Sequence, residues 1–115
     1  MAATSQISST FDISVTMDSA DAYTIANPGR SFRVVQISAY NAGGTPNITV
    51  TNGSADIAAT QATIANSWKL LALTEANCNL TSAQNLVVTN ANATTTKLII
   101  SCVATGGGET LTVTT

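Results

Sequence analysis

Residues 10–17, TFDISVTM, alternate without a break: Phe11, Ile13, Val15 and Met17 share one parity, and Thr10, Asp12, Ser14 and Thr16 share the other. A period of two sends the two sets to opposite faces of a β-strand and cannot form the 3.6-residue stripe of a helix. This run therefore predicts a strand with one covered face and one wet face. The same grammar returns along the chain. Short strands are predicted over 22–25, over SFRVVQISAY (31–40), over ITVT (48–51), over WKLLAL (68–73), over NLVVTN (85–90), over TKLIISCVA (96–104) and over ETLTVTT (109–115). Residues 54–67 read as one or two further short strands with a loop.

Turn chemistry separates these runs. In NPGR (27–30), Pro28 presets φ and Gly29 tolerates positive φ. Gly43 and Gly44 mark a second turn. Asn52-Gly53 is a hairpin signal, because both residue types enter the left-handed region. Gly106–Gly108 mark a last turn. TEANCN permits a helical turn, but nothing sustains a helix. Residues 31–40 carry apolar side chains on both parities, as in a central sandwich strand, and this predicts that one face is completed by another chain. NLVVTN and TKLIISCVA share a similar tone and are expected to pair as a hairpin.

About eight short strands with Gly, Asn and Pro turns predict an all-β, antiparallel β-sandwich. A jelly-roll-like topology leads and an immunoglobulin-like sandwich is the alternative. The N-terminal residues lack a pattern. The expected division is a flexible arm over 1–9 and a single β-sandwich domain over 10–115.

Composition then narrows the function. Charged residues make up 9% of the chain, well below the roughly 25% usual for soluble domains. Thr, Ser and Asn fill 41 of 115 positions. A thin charge cover suits a surface that packs against neighbours. With Arg30, Arg33, Lys69 and Lys97 as the whole basic complement and a net charge of -2, no phosphate-tracking surface can be built, so no nucleic-acid partner is expected. No apolar run approaches the roughly 20 residues of a membrane span, so no membrane partner is expected. MAATSQISSTFD lacks the basic and apolar regions of a signal peptide, and synthesis in a cytosol is expected.

The chemistry is equally sparse. There is no histidine, which removes the commonest general base and metal ligand. Ser-His-Asp and Cys-His arrangements are excluded with it. Cys78 and Cys102, without histidine, make no zinc site, and free thiols are expected in a reducing compartment. Asp18 and Asp21 flank a turn but do not follow a calcium-loop pattern. TGGGET has no P-loop lysine. None of the six acids is singled out as a glycosidase pair. The Asn-x-Ser/Thr triplets at Asn47, Asn52, Asn79 and Asn92 are expected by chance in so Thr-rich a chain. Hence no enzyme, no cofactor and no metal are expected. Candidate interface residues are Ile7 in the arm and the aromatics Tyr23, Tyr40 and Trp68. For Trp68 a core anchor and an interface rim both stay open.

FRVVQISAYNAGGTPNITVTNG and NLVVTNANATTTKLIISCVATGGGETLTVTT resemble small virion proteins of tailed bacteriophages, namely capsid decoration (cement) proteins and the β modules of phage fibres. The resemblance implies a sandwich or jelly roll, commonly a homotrimer, sited on the capsid surface and bridging neighbouring major capsid subunits. Its role there would be mechanical, with the N-terminal arm as the preferred capsid-facing or subunit-exchanging element. The alternative is a fibre or carbohydrate-binding module using Tyr40, Trp68 and the Asn-bearing loops.

Overall fold

The computed structural model describes residues 2–7, 10–27, 29–91, 94–105 and 109–114, with backbone alone at 2–7 and 109–114. Pro28, Asn92 and Gly106–Gly108, with the turn and glycosylation readings attached to them, lie outside the described residues. The strands are β1 (Ala2–Ile7), β2 (Thr10–Met17), β3 (Asp21–Ile25), β4 (Phe32–Asn41), β5 (Asn47–Thr51), β6 (Asp56–Ala62), β7 (Trp68–Leu70), β8 (Asn79–Leu80), β9 (Leu86–Asn90), β10 (Thr96–Ala104) and β11 (Glu109–Thr114). A 3-10 turn, Glu75–Asn77, realises the helical tendency of TEANCN.

Two antiparallel sheets pack together as a sandwich. One has the order β2-β10-β4-β7, with β8 also on β4; the other has the order β3-β9-β5-β6. β7 lies against Ser38–Tyr40 and β8 against Phe32–Arg33, so the two are halves of one interrupted strand on the same edge of β4. Counted this way the sandwich has eight strand positions: first, eighth, third, sixth in one sheet and second, seventh, fourth, fifth in the other. This is the jelly-roll order, in which every connection but the β5–β6 hairpin crosses between sheets. The Asn52-Gly53 signal forms that hairpin, with Thr51 opposite Asp56 and Gly53 at φ 93°.

The hairpin expected between residues 85–90 and 96–104 does not form. β9 pairs with β3 and β5, whereas β10 pairs with β2 and β4 in the other sheet. Similar apolar tone shows only that both strands are central, which is true of each in its own sheet.

β4 also corrects the reading of its two apolar faces. Ser101 lies opposite Gln36 but Cys102 lies opposite Val34, so Val35 is an extra residue, a β-bulge. The bulge advances the side-chain phase by one. Phe32 and Val34 before it, and Ile37, Ala39 and Asn41 after it, therefore all point inward and are buried. Val35 itself is 48% exposed. The mixed parity records a phase slip within one chain and does not require a second chain.

The core lies between the sheets. Met17, Phe32, Ile37, Ile48, Val50, Ile57, Leu86, Val88, Leu98 and Ile100 are almost fully buried there. The two flanks differ. On the β6/β7 flank the connection closes the sandwich: Thr74 donates its backbone N–H to Ile57 O, and Gln61 exchanges two hydrogen bonds with the Ala72 backbone. On the β2/β3 flank, Phe11, Ile13, Val15, Tyr23 and Ile25 pack on the core yet stay half-buried.

One end of the sandwich is tied by a polar hub. Asn41 of β4 is fully buried, and its Nδ2 donates to Thr96 Oγ1 at 2.7 Å and to Thr94 Oγ1 at 3.0 Å. Its Oδ1 accepts the Gly44 N–H at 2.7 Å. Thr96 Oγ1 in turn donates to Asn90 Oδ1 of the opposite sheet at 3.3 Å. Buried polar groups need such partners, and this chain of bonds links the sheets where the β9–β10 connection crosses.

β1 falls within the stretch expected to be a flexible arm. Its backbone is a strand paired antiparallel along its length with β11, from Ala2 opposite Thr114 to Ile7 opposite Glu109, as a two-stranded sheet of its own.

Candidate functional site: the outer face of the five-stranded sheet

Cross-strand partners on adjacent strands share a face. Ile99 of β10 is opposite Ser14 and Ser38, and Ser38 is opposite Leu70. Lys97 is opposite Thr16 and Tyr40, and Tyr40 is opposite Trp68. Two rows therefore run side by side across the outer surface: Ser14, Ile99, Ser38, Leu70, and Thr16, Lys97, Tyr40, Trp68. They bring Ile99, Leu70, Tyr40 and Trp68 into one apolar patch. Trp68 is 51% exposed and Leu70 63% exposed. The Tyr40 and Trp68 rings lie 5.4 Å apart with their planes tilted by 41°, a stable offset pairing for two half-exposed aromatics.

Local sequence sets this up. In Trp68-Lys69-Leu70 the two apolar residues share a parity and the lysine takes the other. Lys69 Nζ donates to Ala62 O at 2.6 Å, toward the β6 flank, so Trp68 and Leu70 must face out. Lys97 lies within these rows beside Tyr40, and the other charges of the face, Asp12 and Arg33, lie toward its far end, where Arg33 pairs with Glu75 at 3.7 Å.

The opposite sheet presents a different surface. Thr49, Thr51 and Thr89 point outward there, and the Thr49 and Thr60 hydroxyls pair at 2.7 Å. One face of the sandwich is rich in threonine hydroxyls, with Ala22 and Val87 among them; the other carries the aromatic and aliphatic patch.

Of the residues singled out in the sequence, Tyr40 and Trp68 meet in this patch. Trp68 is therefore a surface residue, and the core-anchor reading falls. Tyr23 is elsewhere: it is opposite buried Val88, so its ring enters the sandwich at the half-open flank and its hydroxyl bonds with Ser19 Oγ at 2.5 Å. Ile7 ends β1, opposite Glu109. Leu70 and Ile99 were missed. Their signal is an apolar residue in the polar phase of a strand, as in Lys97-Leu98-Ile99-Ile100.

Neither cysteine is poised for chemistry. Both are buried and free. The Val34 N–H donates to Cys78 O while Val34 pairs with Cys102, so β4 runs between them. Two strand spacings, about 9–10 Å, exceed the roughly 7 Å Cα separation a disulfide tolerates. Burial pushes the Cys102 thiol up from 9.0 to about 12, with Asp12 adding to the rise. Burial also raises Cys78, with Arg33 opposing it and Glu75 reinforcing it. Among the described residues no three His, Cys, Asp or Glu side chains gather as a metal-holding group. Asp21 Oδ1 accepts the Ala22 N–H at 2.8 Å, as a turn-capping carboxylate does.

No protein-family profile matches the chain, and no curated protein matches it.

Proposed function

We propose that the protein is a non-enzymatic structural component of a bacteriophage virion. In this reading it is a homotrimer that decorates the capsid and stabilises it by bridging major capsid subunits. The observation that carries the reading is the exposed Tyr40–Trp68–Leu70–Ile99 patch on a rigid jelly-roll face of low charge. Docking such a face removes apolar area from water at about 25 cal/mol per Å² without desolvating many charges. Each contact is modest, and repetition over a shell multiplies it.

The test is titration of purified protein onto undecorated capsids. Saturable binding is expected, weakened at least about 30-fold in Trp68→Ala, the magnitude of a truncated aromatic hot spot. Leu70→Ser weakens binding without loss of fold. Absence of saturable binding by the wild-type chain, or full binding by a chain carrying both Trp68→Ala and Leu70→Ser, overturns the reading. A second reading rests on the same ring pair: a fibre or carbohydrate-binding module in which Tyr40 and Trp68 stack on a sugar. Quenching of Trp68 emission by host polysaccharide, with no capsid binding, selects it.

A further inference from the structure

The ribbon of β1 and β11 continues the β2–β10 pair of the five-stranded sheet. Residues 8 and 9 alone separate β1 from β2, and residues 105–108 separate β10 from β11. The two ends of the chain thus run side by side, β2 with β10 in the sandwich and β1 with β11 beyond it. The dimensions agree. The longest strand, β4, has 10 residues and covers about 33 Å at the usual rise, while the molecule is 59 Å long and 27 by 21 Å across. Its radius of gyration is 16.4 Å, against about 13 Å for a compact domain of 100 residues. β1 and β11 pack extensively only on each other.

A two-stranded ribbon in water is marginal by itself, and three or more strands are needed for independent stability. Among the described residues, the outer edges of β1 and β11 pair with no other strand. They also lack the devices that protect edges. In AATSQI and ETLTVT, Glu109 is the sole charged residue, and there is no lysine or proline. By contrast β6, an edge of the sandwich, carries two register breaks, and β7 and β8 are only 3 and 2 residues long.

Resting on the homotrimer of the proposed function, we propose that this ribbon is the trimerisation element and that its occupant is the ribbon of a second copy of the chain. The strand directions fix how copies fit. β1 runs toward the sandwich and β11 runs away from it. When three copies project their ribbons in the same direction about a threefold axis, the β11 edge of each copy meets the β1 edge of the next, and the two run antiparallel. The contact is head-to-tail, and such contacts form rings when the rotation closes. Three ribbons make a six-stranded antiparallel barrel with no free edge. A twofold pairing of β1 with β1 would leave both β11 edges open.

The test is light scattering on the full-length chain over a wide concentration range, with capsid titration run alongside. A species of three times 11.7 kDa is expected. Thr112→Pro, which removes a backbone donor in mid-strand, and Thr112→Lys, which charges the edge, should both give monomers. The sandwich of each variant should keep its wild-type denaturation midpoint by circular dichroism. A wild-type monomer or dimer overturns the proposal, as does a trimer that survives both substitutions. A wild-type monomer that still binds capsids saturably would defeat the ribbon barrel while leaving decoration intact. Loss of capsid binding by an intact trimer would defeat decoration while leaving the barrel.

Discussion

Replacing Asn41 by Ala tests whether the inter-sheet hub holds the jelly roll together. The side chain is fully buried and makes three hydrogen bonds of good length, to Thr96 Oγ1 at 2.7 Å, Thr94 Oγ1 at 3.0 Å and from Gly44 N at 2.7 Å. A contact with Thr94 O at 3.5 Å is too long to count. Each bond contributes about 1 kcal/mol net, and a buried group left without a partner costs about 1–3 kcal/mol. Thr96 Oγ1 keeps Asn90, but the Gly44 N–H loses the Asn41 oxygen. The expected loss is about 3–4 kcal/mol, a large share of the roughly 5–15 kcal/mol that holds a domain folded. The backbone carbonyl of Asn41, which accepts from Gly43 and Asn66, is untouched by the change. With a urea slope of about 2 kcal/mol/M, the midpoint falls by about 1.5–2 M. Far-UV circular dichroism is the right probe, since Trp68 is already half-exposed in the native state. Thr49→Ala is the control. It removes a bond of the same length, to Thr60, but at the surface, and should cost under about 0.5 kcal/mol. A loss below about 1 kcal/mol in Asn41→Ala, or equal losses in both variants, would falsify the claim that burial gives the hub its weight.

Other expected outcomes concern the bulge, the hub's glycine and the thiols. Deleting Val35 should abolish cooperative unfolding, because the phase slip that turns both halves of β4 inward disappears; Val35→Thr should stay within about 0.5 kcal/mol of wild type by urea denaturation. Gly44→Ala should lower the urea midpoint, because a Cβ there would lie 3.0 Å from Asn41 Oδ1 and 3.1 Å from Thr94 Oγ1. Cys78 and Cys102 should resist a thiol reagent at pH 8 in the folded chain and react together on unfolding; prompt modification of either would contradict its burial. The Cys102 thiol is held neutral in the fold, so its contribution is complete below pH 9.0 and is lost as pH rises toward about 12, where the folded thiol also ionises. Denaturation midpoints measured upward from pH 8 should therefore fall, and Cys102→Ala should flatten that fall.

Much of the fold was legible because a strand's two faces are written locally. The alternation in Phe11–Met17 needed no tertiary knowledge, and neither did the Asn52-Gly53 hairpin or the ends of Thr96–Ala104. The site was half legible. Tyr40 and Trp68 drew notice as amphipathic aromatics, but their pairing depends on β7 lying against β4, a contact between residues distant in sequence. Ile99 and Leu70 join them through the same registers. The apolar residues on both parities of β4 led to the expectation of a second chain over one face, because a bulge leaves no local mark in the pattern. The β10 register decided for the bulge.

The amino-acid sequence by itself determined that the chain is all-β, where most strands begin and end, and that it has no histidine to offer. These follow from period, turn residues and composition, which act over a few positions. Only the tertiary structure decided that β9 and β10 separate into opposite sheets, that the two termini leave the sandwich as one ribbon, and that an aromatic and aliphatic patch gathers on one outer face. Strand pairing joins residues far apart along the chain, and its register is settled by which faces bury together in the assembled core.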